Sequence, residues 1–406
     1  MPRVDSEAIR EAAERFDDEI VQRTPVDLSR SLGSHADATV YLKMEHLQRT
    51  GSFKTRGATN KMAELWASDR DIDHVVAASA GNHAQGVALA ATATGFDATI
   101  VMPQNAPQAK IDATRDYGAS VTLHGHDFQQ AMAHAKELSG RDGTAFVHAY
   151  DDPAVVAGQG TLGLEILEDV PDVDTVILPI GGGGLIGGTA LAIKSERPDV
   201  RVIGVQAESA ATVPQSLQKG GPNDCDETDT IADGIATGGI SQLTYDLIEA
   251  HVDEVVTVSD SDIARGILLL MERAKQVVEG AGAAAVAPLL TDDVDVTGET
   301  VVPVLSGGNL DVSMLQTVLT HELSARSRLI QLRIRIDDRP GVLETISSIA
   351  GTHGANIRTV HHYRANADLA VGEAYLTFEM ETSGREHGAA IKESIRDSGF
   401  EITQIN

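Results

Sequence analysis

One cysteine, Cys225, occurs in 406 residues. A single thiol makes an intrachain disulfide impossible and leaves no set of thiolates to cage a metal. Basic residues are scarce as well: 32 lysines and arginines face 60 acidic residues, a formal charge of −28. Such a surface repels nucleic acid and anionic lipid, so neither is an expected partner. The acids are dispersed, as at Asp17-Asp18-Glu19, Asp151-Asp152 and Asp292-Asp293, rather than gathered in a tail. A dispersed carboxylate surface repels itself in dilute buffer and is screened by salt, so a salt-rich, halophilic cytoplasm is the expected setting. No run of about 18 apolar residues occurs, and the opening Met1-Pro2-Arg3-Val4-Asp5 lacks the apolar core of a signal peptide. A cytoplasmic location is expected.

What the chain does have is enough apolar sequence, 42%, and enough length for two or three domains. From about residue 74 short apolar runs alternate with helix-like segments. His74–Ala78, Ala98–Met102, Ser120–Leu123 and Ala145–Val147 read as strands, with alanine-rich helices at Ala84–Ala93 and Gln129–Leu138 between them. A second series follows at Val173–Leu178, Val202–Val205 and Val301–Leu305. Strand, helix, strand in this order predicts parallel sheets under helical cover, hence two α/β domains with ligands outside the carboxyl ends of the strands. After about residue 326 the pattern changes. Gln331–Ile336 and Leu376–Met380 alternate strictly, while Val342, Leu343, Ile346, Ile349 and Ala350 keep helical spacing after Pro340. This tail reads as a separate βαββαβ unit.

Four segments carry candidate chemistry. Gly51-Ser52-Phe53-Lys54-Thr55-Arg56-Gly57 sets a lysine between an aromatic and a hydroxyl residue ahead of a helix. Lysine can hold an aldehyde cofactor as a Schiff base and then act as a base, although most lysines are solvated surface charges. Ser79-Ala80-Gly81-Asn82-His83 follows a strand, where its amides could hold a carboxylate or its side chains could simply cap a helix. Gly182, Gly184 and Gly187 spell the dinucleotide pattern G-x-G-x-x-G, with Glu208 near the place of a ribose ligand. The four glycines from Gly181 to Gly184 equally expose a row of amides for one phosphate. Ser306, in Ser306-Gly307-Gly308-Asn309, places a neutral hydroxyl at another strand end, for a ring nitrogen or for a helix cap.

In this order and spacing the four segments resemble the fold-type II pyridoxal-phosphate enzymes, most closely the threonine dehydratases (threonine ammonia-lyases). The resemblance covers about residues 1–320 and implies a two-domain, tryptophan synthase β-like α/β core. Its large domain would comprise 1–48 and 150–320, and its small domain about 49–149. It also implies site roles. Lys54 would bind pyridoxal 5'-phosphate covalently and remove the Cα proton; Phe53 would stack beside the cofactor and Asn82 would bond its phenolic oxygen. Gly181, Gly182, Gly183, Gly184 and Leu185 would hold the phosphate through their amides, and Ser306 would face the pyridine nitrogen. Ser79, Gly81, Asn82 and His83 would embrace the substrate carboxylate. L-Threonine would give 2-oxobutyrate and ammonia, and L-serine would also be deaminated. Related serine racemases carry a second serine where Ala80 stands and a divalent cation near the positions of Gln206 and Thr212, so racemisation is expected to be minor and no metal is expected. The pairs His124 with His126 and His361 with His362 read as surface residues.

Asp338-Arg339-Pro340-Gly341-Val342-Leu343 and Gly354-Ala355-Asn356-Ile357 resemble an ACT domain, the amino-acid-sensing module, over about residues 328–406. The resemblance implies an allosteric effector near Gly341 and Asn356, with isoleucine first, and a homodimer or homotetramer. Three other readings stay open at this stage. One is a serine racemase or serine dehydratase, one is β-replacement as in cysteine synthases, and one is an amino-acid-binding protein on an inactive lyase scaffold.

Overall fold

Runs of valine and isoleucine followed by alanine- and glycine-rich helices bury both faces of a parallel sheet, and this pattern governs most of the chain. The computed structural model describes residues 4–68, 70–225, 228–291 and 293–406. Asp292 and Met1-Pro2-Arg3, invoked above for charge and for the N-terminus, lie outside the described residues. The chain divides into two compact units, Met1–Asp311 and Val312–Asn406.

The first unit contains strands β1 (Val26–Leu28), β2 (Thr39–Lys43), β3 (His74–Ala78), β4 (Asp97–Met102), β5 (Ser120–Leu123), β6 (Thr144–Phe146), β7 (Thr175–Pro179), β8 (Arg201–Ala207), β9 (Glu254–Val258) and β10 (Thr300–Pro303). They form a six-stranded sheet in the order β1-β2-β10-β7-β8-β9, parallel except for the β1–β2 pair, and a wholly parallel four-stranded sheet in the order β5-β4-β3-β6. The expected strands are present with ends shifted by a residue or two, while β1, β2 and β9 were not anticipated. Each sheet has its own core. Val75, Ala77, Val87, Ile100 and Met102 pack in the smaller, and Val176, Leu178, Ile186, Val202 and Val302 in the larger. Each large side chain buried this way contributes about 1.5–3 kcal/mol.

Three helices, Lys54–Ala67, Pro153–Asp169 and Gly184–Glu196, fix the active-site elements against one another. Their backbones approach closely: a Cβ on Gly158 would lie 2.6 Å from the Arg56 carbonyl oxygen, so glycine is required there. No described helix is long and apolar enough to cross a membrane.

The second unit opens with helix Val312–Ala325 and continues as β11 (Leu329–Asp337), helix Val342–Thr352, β12 (Asn356–Tyr363), β13 (Glu373–Glu381), helix Arg385–Asp397 and β14 (Glu401–Gln404). The strands form an antiparallel sheet in the order β12-β13-β11-β14. Ile330, Leu332, Ile334 and Ile336 bury one face of β11 against Ile346, Ala350, Ile391 and Ile395 from the two later helices, as strict alternation requires.

Candidate active site

Functional groups collect at the carboxyl ends of β3, β7 and β10, where an open parallel sheet presents loops rather than side-chain cover. Lys54 begins its helix immediately after a short backbone staple. Ser52 pairs with Gly307, the Phe53 amide donates to the Ser306 carbonyl at 3.2 Å, and the Gly308 amide donates to the Gly51 carbonyl at 2.8 Å. Lys54 and Ser306 are thereby locked side by side although they lie far apart in sequence. Lys54 Nζ donates to the Ala149 carbonyl at 3.3 Å and stands 4.9 Å from the centroid of the Phe53 ring. Burial pushes this amine down to about 8, against the charge of Glu279, which raises it. An amine in that range has a usable neutral fraction near pH 7, as a nucleophile and base needs.

Asn82, the first residue of helix Asn82–Thr94, is oriented from both sides. Its Nδ2 donates to Glu279 Oε1 at 2.6 Å, and its Oδ1 accepts from Asn309 Nδ2 at 2.7 Å. One Nδ2 hydrogen remains for a further acceptor. Ser79 Oγ accepts from the Gly81 amide at 3.1 Å, shaping the turn into the helix, whose first amides have no acceptor within it and so suit a carboxylate. The His83 imidazole is turned elsewhere: its Nε2 donates to the Val147 carbonyl at 3.0 Å. Burial, with Lys54 nearby, depresses it to about 3, so it is neutral and brings only its backbone to the helix start.

The glycine segment joins β7 to helix Gly184–Glu196. Gly183 has φ of +85°, and a Cβ on Gly182 would sit 2.1 Å from the Tyr150 ring. The cradle is thus lined by amides and roofed by an aromatic ring, and Leu185 is buried in the first helical turn. Gly187, the third glycine of the dinucleotide spacing, faces Leu247 instead and serves helix packing. Glu208 is exposed. Ser306 is buried, and its hydroxyl donates to the Ala281 carbonyl at 3.2 Å, a long bond that a better-placed acceptor can replace.

Two important groups were not singled out from the sequence. Glu279 lies at the centre of the cluster, and a Cβ on Gly307 would lie 2.2 Å from its Oε1. Burial pushes its carboxyl up to about 7, opposed by the Asn82 hydrogen bond and by Lys110. A lone carboxylate opening the small-residue run Glu279-Gly280-Ala281-Gly282-Ala283 was the available signal. The second is Arg56, two residues beyond Lys54 and fully buried. Its Nε and Nη2 grip Glu45 at 2.7 Å each, its Nη1 and Nη2 grip Glu165 at 2.6 and 2.9 Å, and Nη1 also reaches Thr161 Oγ1 at 3.1 Å. Every guanidinium donor is used. Lys43 joins the network through Glu165 at 2.7 Å and Asp169 at 3.1 Å. Burial alone would raise the Glu45 carboxyl, but Arg56, with Lys43 and Thr24 behind it, holds it below its ordinary value.

Gln206 Oε1 accepts from the amides of Thr212 and Val213 at 3.1 and 2.8 Å, capping helix Val213–Lys219. His124 stacks on His134 with centroids 4.0 Å apart, and His362 pairs with Asp338 at 3.3 Å. Among the described residues no group of three His, Cys, Asp or Glu side chains could hold a metal ion. In the second unit Gly341, with φ of +92°, precedes helix Val342–Thr352, and Asn356 lies beyond its other end. A helix of 11 residues is roughly 16 Å long, so one protomer does not bring Gly341 and Asn356 together.

A partly neutral amine, a glycine cradle that a single Cβ would fill, an oriented amide and a buried hydroxyl fit pyridoxal phosphate. Comparison with known proteins agrees. The family described as pyridoxal-phosphate dependent enzyme matches residues 18–307. An L-threonine ammonia-lyase of Thermotoga maritima is 45% identical over 396 residues, covering 98% of each chain. The processed form of threonine deaminase isoform 2 from Solanum lycopersicum superposes with a TM-score of 0.74 at 36% identity, covering 77% of this chain and 92% of that one. Maize serine racemase gives a TM-score of 0.74 at 33% identity, covering 80% and 100%. The chain belongs to the pyridoxal-phosphate dependent enzyme family.

Proposed function

We propose that this protein is an L-threonine ammonia-lyase, a carbon–nitrogen lyase that converts L-threonine to 2-oxobutyrate and ammonia and also deaminates L-serine. The observation that carries the reading is the depressed Lys54 amine set beside Phe53, between the Asn82 and Ser306 segments. It is supported by the L-threonine ammonia-lyase that is 45% identical along nearly the whole chain.

Pyridoxal phosphate, when bound, supplies an electron-poor ring that acidifies the substrate Cα–H. The chain's residues would hold that group, take the Cα proton and bind the substrate carboxylate. Lys54 holds the cofactor at rest and takes the Cα proton on Nζ once substrate has replaced it. The amides of Gly181 to Leu185 would hold the phosphate at a helix N-terminus, Asn82 Nδ2 would serve the phenolic oxygen, and the neutral Ser306 Oγ would serve the ring nitrogen without forcing a proton onto it. The turn from Ser79 to His83 receives the substrate carboxylate on backbone amides. Phe53 and Tyr150 screen the amine and the phosphate cradle from water.

The likeness to maize serine racemase supports racemisation as a second reading. Ala80 weighs against it, because a methyl group cannot deliver a proton on the face opposite Lys54. The C-terminal unit, 328–406, is read as an ACT domain acting in an allosteric homodimer or homotetramer in the cytoplasm, with isoleucine as effector and a role in isoleucine biosynthesis. Its βαββαβ succession and one-sided helical cover support this. Because Gly341 and Asn356 stand at opposite ends of a helix, an effector touching both would bridge two copies.

Borohydride reduction followed by peptide mapping tests the assignment. The label belongs on Lys54, and Lys54→Ala abolishes threonine deamination while leaving the far-ultraviolet circular dichroism unchanged. Label on another lysine sinks the proposal.

A further inference from the structure

We propose that Glu279 is a positioning residue for this reaction: its carboxyl group holds the Asn82 amide in one orientation, and its charge, when it is ionised, supports Lys54 as that amine takes a proton. The inference rests on the ammonia-lyase reading above.

Three observations converge on Glu279. Asn82 Nδ2 donates to its Oε1 at 2.6 Å, a short charge-assisted bond, while Asn309 fixes the other end of the same amide at 2.7 Å. The amide is therefore held against flipping, and one of its Nδ2 hydrogens is left for a further acceptor. The backbone is also shaped around this carboxylate. Glycines stand at 307 and 234, where a Cβ would come within 2.2 and 3.2 Å of Oε1, and the Glu279 amide is tied to the Gly307 carbonyl at 3.1 Å. Finally, the charge of Glu279 acts on Lys54 against the desolvation that lowers its basicity. The other charged or titratable groups that bear on Glu279 are Lys110 and Asp233, and those that feel Lys54 are His83 and His148. His83 is neutral, so it cannot replace the anion. Above about pH 7, where Glu279 is ionised, its charge stabilises the Lys54 ammonium and so makes Lys54 a stronger base for the Cα proton.

Two substitutions separate the two contributions. Glu279→Gln keeps the size and an acceptor oxygen but removes the charge; Glu279→Ala removes both. With the holoenzyme, the acid limb of the kcat–pH profile should move down by about one unit in each variant, because Lys54 loses its anion. Retention of pyridoxal phosphate, read by equilibrium dialysis and cofactor absorbance without substrate, should weaken on the order of tenfold in Glu279→Ala and much less in Glu279→Gln, since only alanine strands the Asn82 donor. Thermal unfolding checks that both variants fold, and Glu279→Gln reads the pH limb by itself if the alanine variant does not. An acid limb that stays in place, or cofactor retention equal in the parent and Glu279→Ala, overturns the proposal. If the parent protein fails to deaminate threonine, the ammonia-lyase reading fails instead, and the dialysis result still reports on Glu279 and Asn82.

Discussion

Removing Arg56 should damage this protein more than removing almost any other charged side chain. Arg56 and Glu45 are both fully buried, and the guanidinium serves Glu45, Glu165 and Thr161 with all of its donors. In Arg56→Ala the Glu45 carboxylate stays in the interior with Thr24, Gln48 and the more distant Lys43 as its remaining support. Breaking a buried pair from one side costs about 3–5 kcal/mol. At an unfolding entropy of about 2.1 cal/mol/K per residue, the unit spanning Met1–Asp311 would lose about 5–8 °C in Tm. The loss also has a definite pH dependence. In the parent, Glu45 is held below its unfolded value, so its stabilisation is complete above that value and fades as pH falls through the folded one. In the variant, burial is no longer outweighed and raises Glu45, so stability falls as pH rises above about 4. The deficit between the two proteins should therefore be larger at pH 7.5 than near pH 4, and should shrink further only as pH falls through the parent's depressed Glu45 value. Guanidinium unfolding followed by circular dichroism at both pH values, at constant high salt, measures it. A deficit below about 1 kcal/mol, or one equal at the two pH values, would refute the reasoning. Adding Glu45→Leu to Arg56→Met removes the stranded charge and should recover most of the loss.

Other outcomes follow from the same structure. Ala80→Ser should raise D-serine formation relative to pyruvate formation from L-serine, read by chiral chromatography; an unchanged ratio removes Ala80 from the discrimination. Melting temperature should rise along a potassium chloride series from dilute buffer to molar salt, because a charge of −28 is progressively screened, and a flat series rejects the halophilic reading. A chain ended at Asp311 should deaminate threonine yet lose its response to isoleucine, whereas an effector coupling of about 1–3 kcal/mol makes the intact chain respond several-fold. An isoleucine response that survives truncation would move the sensor out of the C-terminal unit.

The parallel strands β3, β4, β7, β8 and β10 were legible because a strand buried on both faces is a continuous apolar run. The glycine segment and Ser306 were legible because each stands at the end of such a run, and Lys54 because it sits between an aromatic and a hydroxyl residue ahead of a helix. β2 was missed since Thr39-Val40-Tyr41-Leu42-Lys43 ends in a lysine that looks solvated, yet its ammonium is buried against Glu165 and Asp169. β9, Glu254-Val255-Val256-Thr257-Val258, was also missed, although β5 is no longer and no better buried. Glu279 and Arg56 were missed for a different reason. Their meaning comes from partners far along the chain, Asn82 for one and Glu165 for the other, and no local pattern reveals a pairing made by tertiary packing. In the tail, alternation located β11 and β13, but only the structure separates Gly341 from Asn356 by the length of a helix.

The staple between Gly51–Phe53 and Ser306–Gly308 also bears on synthesis. Its halves emerge from the ribosome on the order of tens of seconds apart at ordinary elongation rates. Until the later half arrives, the segment before Lys54 lacks the backbone partners that it has in the folded chain, and the burial that lowers the amine is incomplete. For most of its translation the nascent chain thus offers an aldehyde no lysine more reactive than its solvated ones. The setting that lowers the Lys54 amine depends on a loop closed across about 250 residues, and a fragment ending before residue 306 lacks one half of it.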